Sequence, residues 1–318
     1  MNKPLSSPSP LLLCMGEAMA EYNQEPDGRY LQGFGGDTSN AAISAARQGA
    51  RAGIFTHIGS DPAGDGLLAL WQGEGIETDL VKRCPDAQTG IYFVTHDSDG
   101  HHFSYYRKMS AAAQMTAEDV PQDKLAGVDI LHISGISQAI SDSASQAVIA
   151  AIRAVKSAGG RVSYDTNLRL GLWSLEKARQ TIHDTVAECD IALPGLEDAR
   201  QLTGLNSPDE IADFYLQLGV SIVALTLGPK GTMVASKKER AIIPSFAVDA
   251  IDATGAGDTF DGAFLAELMA GASPFDAAGY ANATAALSTT GYGAVAPIPR
   301  RAQVEKFIKG QSVGSSLK

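Results

Sequence analysis

The chain has 318 residues, 44% of them hydrophobic, with 36 acidic against 25 basic side chains and a formal charge of -11. That much apolar material can bury a sizeable core and excludes a disordered chain, while the length allows one large domain or two. The acidic balance excludes broad nucleic-acid or anionic-membrane binding, so an anionic ligand has to be held by a few local cations and backbone amides.

In chain order, residues 1–10 are rich in Ser and Pro and predict a disordered tail. Residues 11–17 read as a first core strand; their apolar run of about five residues is far too short to span a membrane or serve as a signal segment. Cys14, Cys84 and Cys189 are far apart and lack metal-ligand spacing. They predict buried free thiols in a reducing, cytoplasmic compartment. The cluster Gly33, Gly35 and Gly36 opens onto a helix predicted over residues 37–48, capped by Asp37 or Thr38 and ended by Gly49. Residues 90–96 and 102–107, aromatic and β-branched around Asp97-Ser98-Asp99-Gly100, predict a hairpin. From there on strands (128–133, 161–164, 191–193) alternate with helices (142–157, 175–188) as far as Thr226. In the first of those helices Ala144, Val148, Ile152 and Val155 share a face. Such alternation predicts an α/β fold, a parallel-rich sheet covered by helices on both faces with ligands at the strands' carboxyl ends. The β-rich pieces outside it, about residues 18–36 and 77–110, predict a small lid on a single domain spanning 11–318.

Two glycine clusters carry the chemistry. In Asp252-Ala253-Thr254-Gly255-Ala256-Gly257-Asp258 a tight turn precedes a helix predicted from about Gly257, so free N–H groups and the positive dipole end face one spot, which suits an anion. Asp258, in the first helical turn, is placed to accept a proton from an attacking hydroxyl, and the helix N-terminus is expected to keep its pKa low. Taken alone, the turn fits a plain tight loop equally well. In Gly35-Gly36-Asp37-Thr38-Ser39-Asn40, Asp37 and Asn40 lie three apart and can hydrogen-bond vicinal hydroxyls from one side of the helix start. Asp37 as a simple N-cap fits as well.

Together, Gly-Gly-Asp-x-x-Asn and Asp-x-Thr-Gly-Ala-Gly-Asp resemble the two signatures of the ribokinase-like (PfkB) sugar kinases, and matching features span nearly the whole chain. The resemblance implies an anion hole made by Gly255, Ala256 and Gly257 for the phosphoryl group in transfer, with Asp258 as the base. It also implies that Thr226, Gly228 and Gly231 lie under the phosphates and ribose of ATP, although Gly228 and Gly231 taken alone read as a simple β-turn, and that Asn282 belongs to the nucleotide pocket. Family members usually carry Asn-x-x-Glu to organise Mg2+ through water; this chain has Gly195-Leu196-Glu197-Asp198. Asp198 stands in as a shorter carboxylate, but Gly195 supplies no amide. By the same resemblance Asp252, Thr254 and residues 291–293 are expected to supply carbonyls for a monovalent cation (K+), as in some relatives.

Tyr92 lies on one hairpin strand and Tyr105 and Arg107 on the other, where residues two apart share a face. Asp165-Thr166-Asn167-Leu168-Arg169 follows a buried-type strand and brings a second guanidinium. Neutral sugars do not need two arginines, whereas a carboxylate matches the planar fork. The pattern resembles the 2-keto-3-deoxygluconate kinase branch of the family. That implies an acid-sugar pocket lined by Gly36, Tyr92, Tyr105, Arg107, Ile136 and Arg169, with Asn167 and Arg169 approaching the phosphates. The expected reaction is ATP-dependent phosphorylation of the terminal hydroxyl of a 2-keto-3-deoxy sugar acid. A neutral-sugar kinase of fructokinase or ribokinase type, with both arginines structural, and a non-catalytic sugar sensor are the alternatives. The exposed lid face suggests a homodimer. No Gly-x-Gly-x-x-Gly follows the first strand, which excludes a Rossmann dehydrogenase.

Overall fold

The structure is a computed structural model that describes residues 9–97 and 100–315. The hairpin tip at Ser98 and Asp99, and residues 1–8 of the expected disordered tail, lie outside the described residues. Strands run in chain order as β1 (Leu11–Met15), β2 (Met19–Gln24), β3 (Tyr30–Gly35), β4 (Arg51–Gly59), β5 (Glu77–Cys84), β6 (Gly90–Asp97), β7 (Gly100–Tyr106), β8 (Ile130–Ser134), β9 (Arg161–Asp165), β10 (Ile191–Leu193), β11 (Ile222–Thr226), β12 (Thr232–Ala235) and β13 (Arg240–Ile243). The large sheet has the order β13-β12-β11-β10-β9-β8-β1-β4-β5, parallel from β11 to β5 and antiparallel at β12 and β13.

Alternate residues of β1 enter opposite cores, Leu13 and Met15 on one face and Leu12 and Cys14 on the other, as a strand buried on both sides requires. Helices Asp142–Ser157, Leu175–Val186, Leu196–Thr203 and Pro208–Leu218 cover the first face through Val148, Ile152, Ile182, Leu202 and Tyr215. Helices Asp37–Arg47, Pro62–Gly73, Ala256–Met269 and Pro274–Ser288 cover the second through Ile43, Leu67, Phe264 and Ala278. Ala144, Val148, Ile152 and Val155 are all buried, and Ser141 caps their helix by accepting from the N–H of Ala144.

The small sheet has the order β3-β2-β6-β7. Its extent corrects one expectation: residues 77–84 do not belong to it, because β5 pairs in parallel with β4 at the edge of the large sheet. A half-buried strand looks the same in either sheet until its partner is known. The first helix also starts differently, with Gly36 as its N-cap and no side-chain capping bond; Asp37 is its first residue, and its Oδ1 accepts from the N–H of Thr38 (2.8 Å). Cys14 and Cys189 are buried, whereas Cys84 is only half-buried; all three are free. Among the described residues no helix is long and apolar enough to cross a membrane.

Candidate active site

A cavity of about 1100 Å³ opens where the carboxyl ends of the central strands meet the small sheet. Gly36, Asp37, Asn40, Tyr92, Tyr105, Arg107, Ile136, Asn167, Arg169, Asp198, Thr226, Gly255, Ala256, Gly257 and Asp258 all line it, although they come from positions up to 222 apart in sequence (36 to 258). Strand ends gather there because every parallel strand points the same way.

On the phosphoryl side, Gly255 caps helix Ala256–Met269 in a left-handed conformation (φ 73°), which aims the first turn at the cavity. The N–H of Ala256, expected in the anion hole, donates instead to the Ala253 carbonyl (3.1 Å), whereas those of Gly255, Gly257 and Asp258 donate to no backbone carbonyl among the described residues. They are the unpaired donors a helix N-terminus presents to an anion. Asp258 Oδ2 accepts from Asn40 Nδ2 (2.8 Å), while Asn40 Oδ1 is buried without a partner among the described residues. The expected low pKa of Asp258 is not found. Burial, followed by the charge of Asp37, pushes it up to about 6, against the Asn40 hydrogen bond and the charge of Arg169. Desolvation and a neighbouring carboxylate outweigh the helix end.

Asp37 is held on several sides: its Oδ2 accepts from Asn167 Nδ2 (3.1 Å) and from the Ser134 hydroxyl. Asn167 has φ +28°, a conformation rare outside glycine, held by Asp37 and by the bond from its N–H to Asp165 Oδ1 (3.1 Å). Asp198 Oδ2 accepts from the N–H of Leu168 (2.9 Å), and its Oδ1 has no partner among the described residues. Asp165 and Asp261 also line the cavity. Burial and the surrounding carboxylates hold both well above the usual carboxylate range. Sequence reasoning gave these two no role; their signals were a strand's carboxyl end for Asp165 and a spacing of three from Asp258, on one helix face, for Asp261.

On the small-sheet side, Glu21, Tyr92 and Tyr105 form one cross-strand row. The Tyr92 hydroxyl is committed to Glu21 and buried, whereas Tyr105 is 50% exposed. Arg107 stacks 5.8 Å from the Tyr105 ring centre. It is also paired with Glu17, which sequence reasoning passed over as the end of the first strand: Nε lies 2.7 Å and Nη2 2.5 Å from Oε2. Arg169 has no carboxylate within ion-pair distance among the described residues, and its Nη1 donates to the Leu168 carbonyl (2.8 Å).

Three expected nucleotide contacts are not brought into this cavity. Asn282 spends its amide internally, accepting from Thr232 Oγ1 (2.7 Å) and donating to the carbonyls of Ile243 (3.0 Å) and Pro244 (3.2 Å). Gly231 adopts φ 104° with its α-carbon packed on the Ile243 carbonyl, and Gly228 starts the short turn before it. Their glycines are explained by turn geometry. Elsewhere, Asp252 joins the two loops expected around a monovalent cation: Oδ1 accepts from Thr254 N–H (2.9 Å) and Oγ1 (2.6 Å), and Oδ2 from Gly293 N–H (2.9 Å). Among the described residues no three His, Cys, Asp or Glu side chains are grouped to hold a metal.

An anion cradle with a carboxylate at its edge, facing polar side chains across one cavity, defines a phosphoryl-transfer site for a polyol. The pfkB family carbohydrate kinase model matches residues 9–301, and the chain belongs to that family. The 2-dehydro-3-deoxygluconokinase of Dickeya dadantii is 34% identical over 299 residues, covering 89% of this chain and 96% of that relative. The enzyme of that name from Bacillus subtilis is 31% identical over 306 residues, covering 93% and 94%. Among solved structures, a protein described as a ribokinase II from E. coli, in complex with ATP and Mg2+, superposes with a TM-score of 0.87 at 27% identity, covering 95% of this chain and 100% of that one. A double mutant of the fructokinase from Vibrio cholerae O395, bound to fructose, ADP and potassium, gives 0.85 at 29% identity, covering 94% and 98%.

Proposed function

We propose that the chain transfers the γ-phosphoryl group of ATP to the terminal hydroxyl of a 2-keto-3-deoxy sugar acid, the reaction of a 2-dehydro-3-deoxygluconokinase. The observation that carries this reading is that Tyr105, Arg107 and Arg169 face the same cavity as the turn of residues 255–258. The substrate hydroxyl oxygen forms a bond to the γ-phosphorus while the bond to the β,γ-bridging oxygen breaks, and that oxygen leaves with ADP. The hydroxyl proton passes to Asp258, whose Oδ2 is oriented by Asn40. The N–H groups of Gly255, Gly257 and Asp258 take up charge on the phosphoryl oxygens. Thr226 and Asn167 line the cavity on the nucleotide side.

Mg2+ entering with ATP supplies neutralisation of the phosphate charge. The donor set fits an ion held mainly by phosphate and water: Asp198 offers one oxygen, Asp165 stands nearby in the wall, and Gly195 offers no side chain. A monovalent cation such as K+ is assigned to the loops joined by Asp252, with backbone carbonyls as its donors. The small sheet serves as the lid that excludes water during transfer. Its outer face, where Phe93 packs on Tyr22, Tyr30 and Tyr106, is the surface for pairing two copies, and the free thiols suit a reducing cytoplasm.

A neutral-sugar kinase is the second reading, and the Glu17–Arg107 ion pair favours it, since a neutralised arginine attracts a carboxylate less. Arg169, which has no such partner, favours the acid. An ADP-release assay with Mg2+ and a panel of keto-deoxy acids, fructose and ribose decides between them. Turnover is expected to be fastest with a keto-deoxy acid; a preference for fructose or ribose overturns the assignment.

A further inference from the structure

The small sheet is joined to the body by four connections: residues 16–18, residue 36, residues 85–89, and the stretch from Arg107 onward. Glu17 sits in the first, with its side chain 0% exposed. Its Oε2 accepts from Nε of Arg107 and lies within ion-pair distance of Nη2, which makes no hydrogen bond among the described residues, and its Oε1 accepts from the Ser110 hydroxyl (2.5 Å), so both oxygens bind the fourth connection. At the third, a β-carbon on Gly90, the first residue of β6, would stand 2.6 Å from Glu17 Oε1. At the second, a β-carbon on Gly36 would stand 2.5 Å from the Glu17 carbonyl oxygen. One buried residue is therefore in close contact with every strand of chain on which the small sheet is carried.

A buried carboxylate is costly unless it is paired and hydrogen-bonded, and Glu17 is both. The pairing also decides which part of Arg107 remains for a ligand. With Nε bonded to Glu17 and Nη2 buried against the same carboxylate without a hydrogen bond, Nη1 is the remaining nitrogen of a side chain that lines the cavity, and it has no hydrogen bond or ion pair among the described residues. The pair carries no net charge, so selection of an anion there depends on where the guanidinium is held.

We propose that Glu17 is the positioning residue for acid selectivity: it clamps the Nε edge of Arg107 at the junction of the two sheets, so that a substrate carboxylate meeting Nη1 is sensed by the connections that carry the small sheet. This rests on the sugar-acid reading above. A sugar acid engages the clamp, while ATP, bound at the other end of the cavity, does not.

The test is a cycle of wild type, Glu17→Gln, Arg107→Ala and the double variant, measuring kcat and the KM for a keto-deoxy acid and for ATP separately. Glu17→Gln is expected to raise the acid KM about tenfold, leave kcat and the ATP KM within about threefold, and add nothing once Arg107 is alanine. Equal losses in all three parameters, or an effect of Glu17→Gln that persists in the Arg107→Ala background, would overturn the role of Glu17. Should Glu17→Gln not fold, Ser110→Ala removes the Oε1 bond and keeps the ion pair. It is expected to raise the acid KM about threefold with the ATP KM unmoved, and no change in the acid KM counts against the proposal. A wild type that phosphorylates neutral sugars and no keto-deoxy acid removes the sugar-acid reading and this inference together; acid turnover with an Arg107-independent Glu17 effect removes this inference alone.

Discussion

The proposed phosphoryl end of the cavity is backbone from one contiguous turn, residues 255–258, whereas the proposed sugar end is side chains from the small sheet and from connections beside both sheets, among them Glu17, Tyr92, Tyr105, Arg107 and Arg169. The first binds charge through N–H groups that any residue supplies, and glycine only lets the chain take the shape. The second binds shape and charge through particular side chains whose neighbours come from distant parts of the chain, as Glu17 does for Arg107 across 90 positions. One end is therefore general to the chemistry and the other specific to the substrate. Damage to the first should strike every sugar alike, and damage to the second should be selective.

The largest expected effect is at Asp258. Asp258→Asn should lower kcat by on the order of 10³ for every sugar that is phosphorylated, with sugar binding measured by calorimetry changed only a few-fold. A turnover number near wild type would break the comparison. The same substitution should stabilise the fold at pH 8. The folded pKa of about 6 lies above the ordinary 3.8, so the folded state holds this proton more tightly than the unfolded chain. The resulting cost is absent below the ordinary value, grows as pH rises through that window, and is complete above pH 6, at no more than about 3 kcal/mol. Thermal melts of the variant and wild type should accordingly converge toward pH 4.

The raised pKa has a kinetic counterpart. Protonated Asp258 accepts no proton, so kcat/KM should fall as pH drops through about 6 and level off above it. A profile flat down to pH 4.5 would assign the base elsewhere.

At the other end, Arg107→Ala and Arg169→Ala should each reduce kcat/KM for a keto-deoxy acid about 10- to 100-fold, the cost of a charge-assisted hydrogen bond, and neutral sugars only a few-fold. Losses confined to neutral sugars would reverse the assignment of the sugar end. The smallest effect is expected for Tyr105→Phe, a KM increase of about three- to fivefold for the acid with kcat unchanged, since its ring is half exposed and still packs beside Tyr92 and Arg107. A fall in kcat would move Tyr105 into the transfer step.

Much of the fold was legible because its signals are local. The alternation from β8 to β11, the face of Ala144, Val148, Ile152 and Val155, and the hairpin of β6 and β7 all follow from spacing within a few residues. β5 was misplaced in the lid because a strand's partner is a long-range property. Asn282, Gly228 and Gly231 were expected at the nucleotide from motif order; Thr232, Ile243 and Pro244 take up the Asn282 amide and Gly231 packs on Ile243 and Pro244, while Gly228 starts a turn with open space beside its α-carbon.

The sequence by itself determined that a glycine turn opens a helix with Asp258 in its first turn, because both are set by consecutive residues; the role of Asp258 as base is our proposal. It determined, too, that Tyr105 and Arg107 share a face, because strand periodicity is local, whereas Tyr92 came to stand opposite Tyr105 through the register of β6 and β7. Only the tertiary structure decided that burial and Asp37 push the Asp258 pKa up to about 6, that Asn167 is strained against Asp37, and that Arg107 reaches the cavity already held by Glu17. Burial, neighbouring charge and competition for hydrogen bonds depend on which distant residues meet, and that is settled by packing the whole chain.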